Sequence, residues 1–284
     1  MCPRHLALVA FLACGVPFAC VGEAAWAAQD PPLRAGVAAG SPPFVIQSER
    51  GPLTGFTIEL FRALAGHLKR EILFTAAPAD ELAGDLEARK FDLLPGPIDA
   101  TPEAAAHLLL TEGYTASEYE FGSRAGEPVR SFGDLHGRRL AVVAGSPYAG
   151  WAGRNAGRYG FTVQQHASIA DVLGALTAQT ADATLTGSPT IDSAAAHDHG
   201  LAAGLSLAET RTQGAAAFRK RDAELRDEVE EALRCLKEDG TVARLANVWL
   251  GTNPGDEDIE KLAMPGYGVP GLSGFDPKTH KAHC

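Results

Sequence analysis

Positive charge is scarce in this chain. Its 25 Lys and Arg stand against 35 Asp and Glu, a formal net charge of -10 over 284 residues. A phosphate backbone is held by concentrated Lys and Arg, so this balance argues against a nucleic-acid partner and for an acidic, solvated surface. Long apolar runs are equally scarce. After Leu6 to Val21, no stretch approaches the roughly 18 residues that a membrane span needs. Several catalytic signatures are missing too: there is no G-x-S-x-G, no H-E-x-x-H, no phosphate-cradling Gly motif and no haem attachment motif. His197-Asp198-His199 and the group His280, His283 and Cys284 supply no clear ligand set, so neither a metal nor another cofactor is expected. No residue is assigned a catalytic role.

Cysteine is rare and unevenly placed. Of five, Cys2, Cys14 and Cys20 fall in the first stretch. There Arg4, the apolar run Leu6 to Val21 and the small-residue site Ala25-Trp26-Ala27 read as a cleaved signal peptide over residues 1–27, addressed to the periplasm. A lipoprotein anchored through Cys14 or Cys20 is the alternative, but neither has Leu three positions before it. Cys235 and Cys284 remain. They either stay as thiols or bridge, closing about 50 residues for at most about 4 kcal/mol in the chain-entropy model. The bridge is the expectation.

What is present is a repeated alternation. A composition of 45% hydrophobic and 21% charged residues supports one large core or two smaller ones. Leu33 to Ala38, Ile72 to Ala76 and Phe91 to Leu94 read as strands, the last stopped by Gly96 and Pro97. Helices lie between them, over Phe56 to Leu68 and behind a cap at Asp80. Thr101 caps a further helix, with Pro102 at its first position. A second unit opens at Ser131 and Asp134, a capping-box pair, and continues as strand 140–144, a Ser146-capped helix, strand 161–165, a Ser168-capped helix and strand 183–186. The chain then returns through a short extended piece, Ala215 to Arg219. A strongly striped helix, 222–239, follows and is closed by Gly240; Thr241 caps a last one. Such alternation predicts α/β lobes with parallel sheets and right-handed crossovers. Residues 251–284, rich in Gly and Pro, read as a tail on the surface.

The stretch FDLLPGPIDATPEAAAHLLLTEGY, Phe91 to Tyr114, resembles the strand-loop-helix of the periplasmic solute-binding proteins that serve polar amino acid ABC transporters. The resemblance extends over Leu33 to Gly251 through an ordered set of weak signals. They include Pro42-Pro43-Phe44, Gly55 to Leu60, Phe91-Asp92, Thr101-Pro102-Glu103, Asp134 to Gly137, Gly145-Ser146, Phe218 to Lys220, Glu238 to Thr241 and Trp249 to Gly251. It implies a type II periplasmic-binding fold. Lobe 1 would comprise 33–123 plus 216–250 and lobe 2 would comprise 124–215, with crossings near Phe121 to Arg124 and Gln213 to Arg219. The lobes would hinge over a ligand.

The same resemblance implies the ligand-binding positions Ser41, Phe44, Ala79, Pro97, Asp99, Ser146 and Gly187. Most depart from the family. Its aromatic positions fall on Ser41 and Ala79, its carboxylate-binding Arg on Ala104, and its second-lobe acid on Gly187; only Ser146 keeps its role. A hydrogen bond to a charged group is worth about 1.5 to 3 kcal/mol, so losing a bidentate Arg weakens an amino acid by roughly two to four powers of ten. Ordinary α-amino acids are therefore not the expected ligand. Asp99, if it faces the cleft rather than capping a helix, favours a cationic or hydroxylated one. Tyr148 and Trp151 either floor the cleft or pack in the core.

Three functions are compatible. The first is a monomeric, non-catalytic binding protein serving a membrane permease or a sensor. The second is an accessory partner of a periplasmic quinoprotein alcohol dehydrogenase, a role that members of this fold also take. The third is an enzyme like the cyclohexadienyl dehydratases, which lacks support because Ala104 removes the carboxylate grip.

Overall fold

The computed structural model describes residues 30–38, 40–47, 51–278 and 284; the signal peptide expected over residues 1–27 lies outside them. Strands β1 (Leu33–Ala38) and β2 (Ile72–Ala77) pair in parallel, Leu33 against Ile72. Helix α1 (Phe56–His67) connects them and buries Phe56, Ile58, Leu60, Phe61 and Leu64. Helix α2 (Leu82–Glu87) follows. Asp80 does not cap it: the helix starts behind Glu81 with no side-chain cap, and Asp80 stays exposed in the preceding turn.

The next strand departs from expectation. Phe91 to Leu93 runs beside β1, with Ala35 bridging Leu93 in parallel, but the strand does not stop at Gly96 and Pro97. β3 spans Leu94–Asp99 and pairs antiparallel with β9 (Leu201–Arg219), its register shifting between Leu94 and Ile98. An edge strand with a bulge tolerates Gly and Pro because no ladder bond is needed there. Gly96, at φ 87°, takes a conformation that a side chain would oppose. Helix α3 (Pro102–His107) then starts at Thr101, whose Oγ1 accepts from the Ala104 N–H at 3.2 Å, and β4 (Leu108–Leu110) also pairs with β9.

β5 (Thr115–Arg124) leads into a 3-10 turn, Phe132–Leu135, where Ser131 and Asp134 form the expected capping box. Then come β6 (Arg139–Val143), α4 (Pro147–Tyr159), β7 (Thr162–His166), α5 (Ile169–Thr177), β8 (Ala183–Gly187) and α6 (Ser188–His197). β6 pairs in parallel with β7 and β8, as the alternation requires. Helices α7 (Ala223–Glu238) and α8 (Thr241–Leu250) close the fold, and Gly240 rather than Thr241 holds the N-cap position of α8.

The two largest of four hydrophobic clusters among the described residues organise these elements. Leu33, Phe56, Phe61, Tyr114, Phe218 and Leu233 belong to one; Phe121, Leu135, Leu140, Leu185 and Leu207 belong to the other. β5 and β9 pass from the first to the second, antiparallel to each other. Phe121 packs in the second core and its neighbours pair with β8, with Tyr119 opposite Gly187 and Ser123 opposite Ala183. Between the cores the β5–β9 ladder breaks. Ser117 is opposite Thr212 and Tyr119 is opposite Leu207, so residues 208–211 bulge from β9. Thr210 fills the gap, its Oγ1 accepting from the Tyr119 N–H at 2.8 Å and donating to the Leu207 carbonyl at 2.6 Å.

The tail packs over buried charge. Lys237 Nζ lies 3.1 Å from Glu112, both side chains fully buried, and Arg234 lies 3.1 Å from buried Glu230. Tail backbone adds hydrogen bonds to three of these groups. The Met264 N–H donates to Glu112 at 2.6 Å, the Gly268 N–H to Glu230 at 2.8 Å, and the Leu262 carbonyl accepts from Lys237 at 3.0 Å. Burial and neighbouring Glu112 push Glu230 up to about 7, while burial draws the Lys237 pKa down against the pull of Glu112. The last residue, Cys284, is disulfide-bonded to Cys235 of α7.

Candidate ligand-binding cleft

A cavity of about 760 Å3 opens where elements of the two cores face each other. From the side of the first core it is lined by Phe44, Ala79, Asp80, Pro97, Asp99, Thr101, Glu103 and Ala104. From the other side come Ser117, Tyr119, Gly145, Ser146, Tyr148, Arg154, Gly187 and Thr190. An adjoining pocket of about 160 Å3 shares Phe44, Pro97 and Tyr148 and adds Ser41. All eight expected positions, Ser41, Phe44, Ala79, Pro97, Asp99, Ser146, Tyr148 and Gly187, thus line one space or the other. A volume of this order suits an organic molecule of ten or more heavy atoms.

Local structure explains how these residues reach the cleft. The bulged β3 carries Pro97 and Asp99 to the open end of the sheet, and Asp99 caps nothing: Thr101 takes that role. Its carboxylate makes no hydrogen bond or ion pair among the described residues. Burial alone pushes its pKa up to about 6, with no cation offsetting it. Ala104 lies one turn into α3 and offers only a methyl group to the cavity.

Ser146 caps α4, accepting from the Ala149 N–H at 3.2 Å and donating to the Val143 carbonyl at 2.6 Å. One residue into that helix, Tyr148 stands edge-on to Tyr119 of β5, with ring centroids 4.8 Å apart. Tyr148 lines the cleft and packs against the second core as well, whereas Trp151 turns only into that core, 5.7 Å from Phe121. Burial and the nearby Asp99 charge hold both tyrosine hydroxyls above their ordinary pKa. Gly187 makes room for the hydroxyls of Tyr148 and Ser117. A Cβ there would sit 2.6 Å from Ser117 Oγ and 2.9 Å from the Tyr148 hydroxyl. Two neutral hydroxyls therefore occupy the region where the resemblance places an acid.

Tyr119, Ser117 and Arg154 escape the sequence reading. Arg154 had a signal: Pro147, Gly150 and Arg154 recur at helical spacing on α4 and all line the cavity. Tyr119 had a weaker one, being two residues from buried Phe121 on one strand. Charged lining residues are Asp80, Asp99, Glu103 and Arg154, an excess of acid.

Comparison with known proteins agrees with this architecture. Over 228 residues the chain is 26% identical to the L-cystine-binding protein TcyJ of Escherichia coli strain K12, covering 78% of this chain and 83% of that one. An ancestral arginine-binding protein solved with arginine superposes with a TM-score of 0.71 at 24% identity, over 77% of this chain and 97% of that one. An ancestral amino acid-binding protein, AncCDT-1, a precursor of cyclohexadienyl dehydratase, superposes with a TM-score of 0.70 at 25% identity, over 77% and 95%. Residues 33–252 match the model of one family, and with its two-lobed α/β fold the chain belongs to the bacterial extracellular solute-binding proteins, family 3.

Proposed function

We propose that this protein is exported to the periplasm and binds a small solute that is not a standard α-amino acid. It would act without catalysis, as a monomer, for the permease of an ABC transporter or for a sensor. The observation that carries this reading is the lining of the cleft. Its walls come from both cores, yet Ala104 and Gly187 stand where the family resemblance puts an Arg and an acid. An amino acid there would bury its carboxylate and ammonium without those partners, at a cost of several kcal/mol.

The hinge is assigned to the break in the ladder, residues 117–119 of β5 and 207–212 of β9, because the strands pass from one core to the other there and their register shifts between Ser117 and Tyr119. The first lobe would then comprise 33–116 with 213–250, and the second 119–207. Ligand bridging the lobes would shift an open-closed equilibrium that a membrane partner reads.

Thermal unfolding of the leaderless protein against amino acids, amines, polyols, aromatic acids and redox cofactors tests this. Binding at one hundred times the dissociation constant stabilises by about 2.7 kcal/mol, a visible rise in Tm. One non-amino-acid class is expected to raise it. A rise with glutamate or histidine instead would refute the reading of Ala104 and Gly187. The accessory role beside a quinoprotein dehydrogenase is the second reading, favoured by the tail, which lies beyond the family-matched residues. No rise with any compound would favour it.

A further inference from the structure

The uncompensated acid in the cleft has a consequence for ligand class. Asp99 faces a cavity whose charged lining is three carboxylates and one guanidinium. The guanidinium, Arg154, lies exposed on α4, makes no ion pair among the described residues and does not lower the pKa of Asp99. The groups that bear on Asp99 are therefore the two tyrosines, Tyr119 and Tyr148; Tyr119 also feels Glu103, which raises its pKa, and Arg154, which lowers it, while Asp80 lines the cavity too. A partly buried carboxylate beside two aromatic rings, with no counterion, matches a ligand that brings its own positive charge. The wall that would hold an α-carboxylate has a methyl group at Ala104, with an acid five residues before it.

Resting on the solute-binding reading above, we propose that the cleft takes an organic cation without a carboxylate, an amine or guanidine whose charge pairs with Asp99 while its body lies along Tyr119 and Tyr148. The cavity of about 760 Å3 has room for a substituted amine far larger than ammonium. Hydroxyls of Ser117, Tyr148 and Thr190 line the remaining wall and suit further N–H donors as acceptors.

Two matched pairs test the class by titration calorimetry of the leaderless, disulfide-intact protein: agmatine against arginine, and tryptamine against tryptophan. Each pair differs only by the carboxylate. The amine of at least one pair is expected to bind tenfold or more tightly than its amino acid. Asp99→Asn should weaken that amine by at least thirtyfold with the circular dichroism spectrum unchanged. The unsubstituted protein supplies a check that needs no variant: below about pH 6, where Asp99 takes up its proton, the affinity should fall towards tenfold per pH unit. Equal or tighter binding of the amino acids would overturn the proposal, and abolition of that binding by Arg154→Ala would identify the group gripping their carboxylate. Failure of both amines while another class raises the Tm would overturn the cation and leave the solute-binding reading standing. Failure of every compound would overturn both.

Discussion

Asp99 costs the empty protein stability. Burial raises its pKa to about 6 in the fold, from an ordinary value of 3.8. Between those values the unfolded chain binds fewer protons than the folded one, so stability falls as pH rises from about 4 to about 6 and stays reduced above. Asp99→Asn should therefore stabilise the ligand-free protein at neutral pH, by on the order of 1 to 3 kcal/mol. Near pH 3.5 the gain should vanish. Urea unfolding of both proteins at pH 7 and 3.5 measures it, and equal midpoints at pH 7 would mean that Asp99 is better solvated than its surroundings indicate. A residue that destabilises the empty fold while lining its cavity fits a functional site, where stability and activity trade against each other. Gly187 is the opposite case, informative by what it leaves out, since any side chain there meets Ser117 and Tyr148.

At the scale of elements, the tail and α7 act as one unit. α7 buries Arg226, Glu230, Arg234 and Lys237 as well as its apolar stripe, and residues 260–274 add hydrogen bonds to Arg226, Glu230 and Lys237 beyond those made within the rest of the fold. Removing one side of a buried charged network costs about 3 to 5 kcal/mol, because the remaining charge is left uncompensated. The bridge between Cys235 and Cys284, 49 residues apart, adds at most about 4 kcal/mol through the unfolded state. A chain ending at Thr252 with Cys235→Ser is thus expected to lose at least about 3 kcal/mol of unfolding free energy in urea. Undiminished stability would show that α7 and Glu112 satisfy each other alone. The sequence disclosed these elements unequally. Caps at Thr101, Ser146 and Ser168 were legible because capping is local chemistry, decided by a side chain and an amide three residues on. β3 and β9 were not. Gly96 and Pro97 signal a stop locally, and only pairing with a strand more than one hundred residues away keeps β3 extended. The length of β9 is not legible because residues 201–214 carry no apolar run and no in-out alternation: only Leu201, Leu207 and Gly214 are buried, and 202–206 are half-buried in succession. α6 escaped for a related reason, its Ser188-Pro189 opening and three consecutive alanines giving no stripe. For the cleft, the resemblance located positions while the residues at them decided the chemistry; Arg154 and Tyr119 needed the fold to bring them across.

For the whole molecule, the hinge proposed above predicts movement. β5 and β9 are the strands shared by both cores, and their ladder is interrupted at residues 117–119 and 207–212, where a threonine side chain substitutes for a backbone partner. Bending there disturbs few backbone hydrogen bonds, whereas bending within either core would break packed side chains. The tail bears on the same place: Glu260 accepts from the Ala116 N–H at 3.3 Å, on the first-core side of the break. Closure should therefore pivot about this interruption and leave the tail attached to the first lobe. Small-angle X-ray scattering with a saturating ligand is expected to show a smaller radius of gyration than the empty protein, and removing Cys235–Cys284 by double Ser substitution should leave that decrease intact. An unchanged radius at saturation would place binding on a rigid body and remove the hinge from the mechanism. A decrease lost in the double variant would instead tie closure to the tail, since the bridge is the covalent link between the last residue and α7.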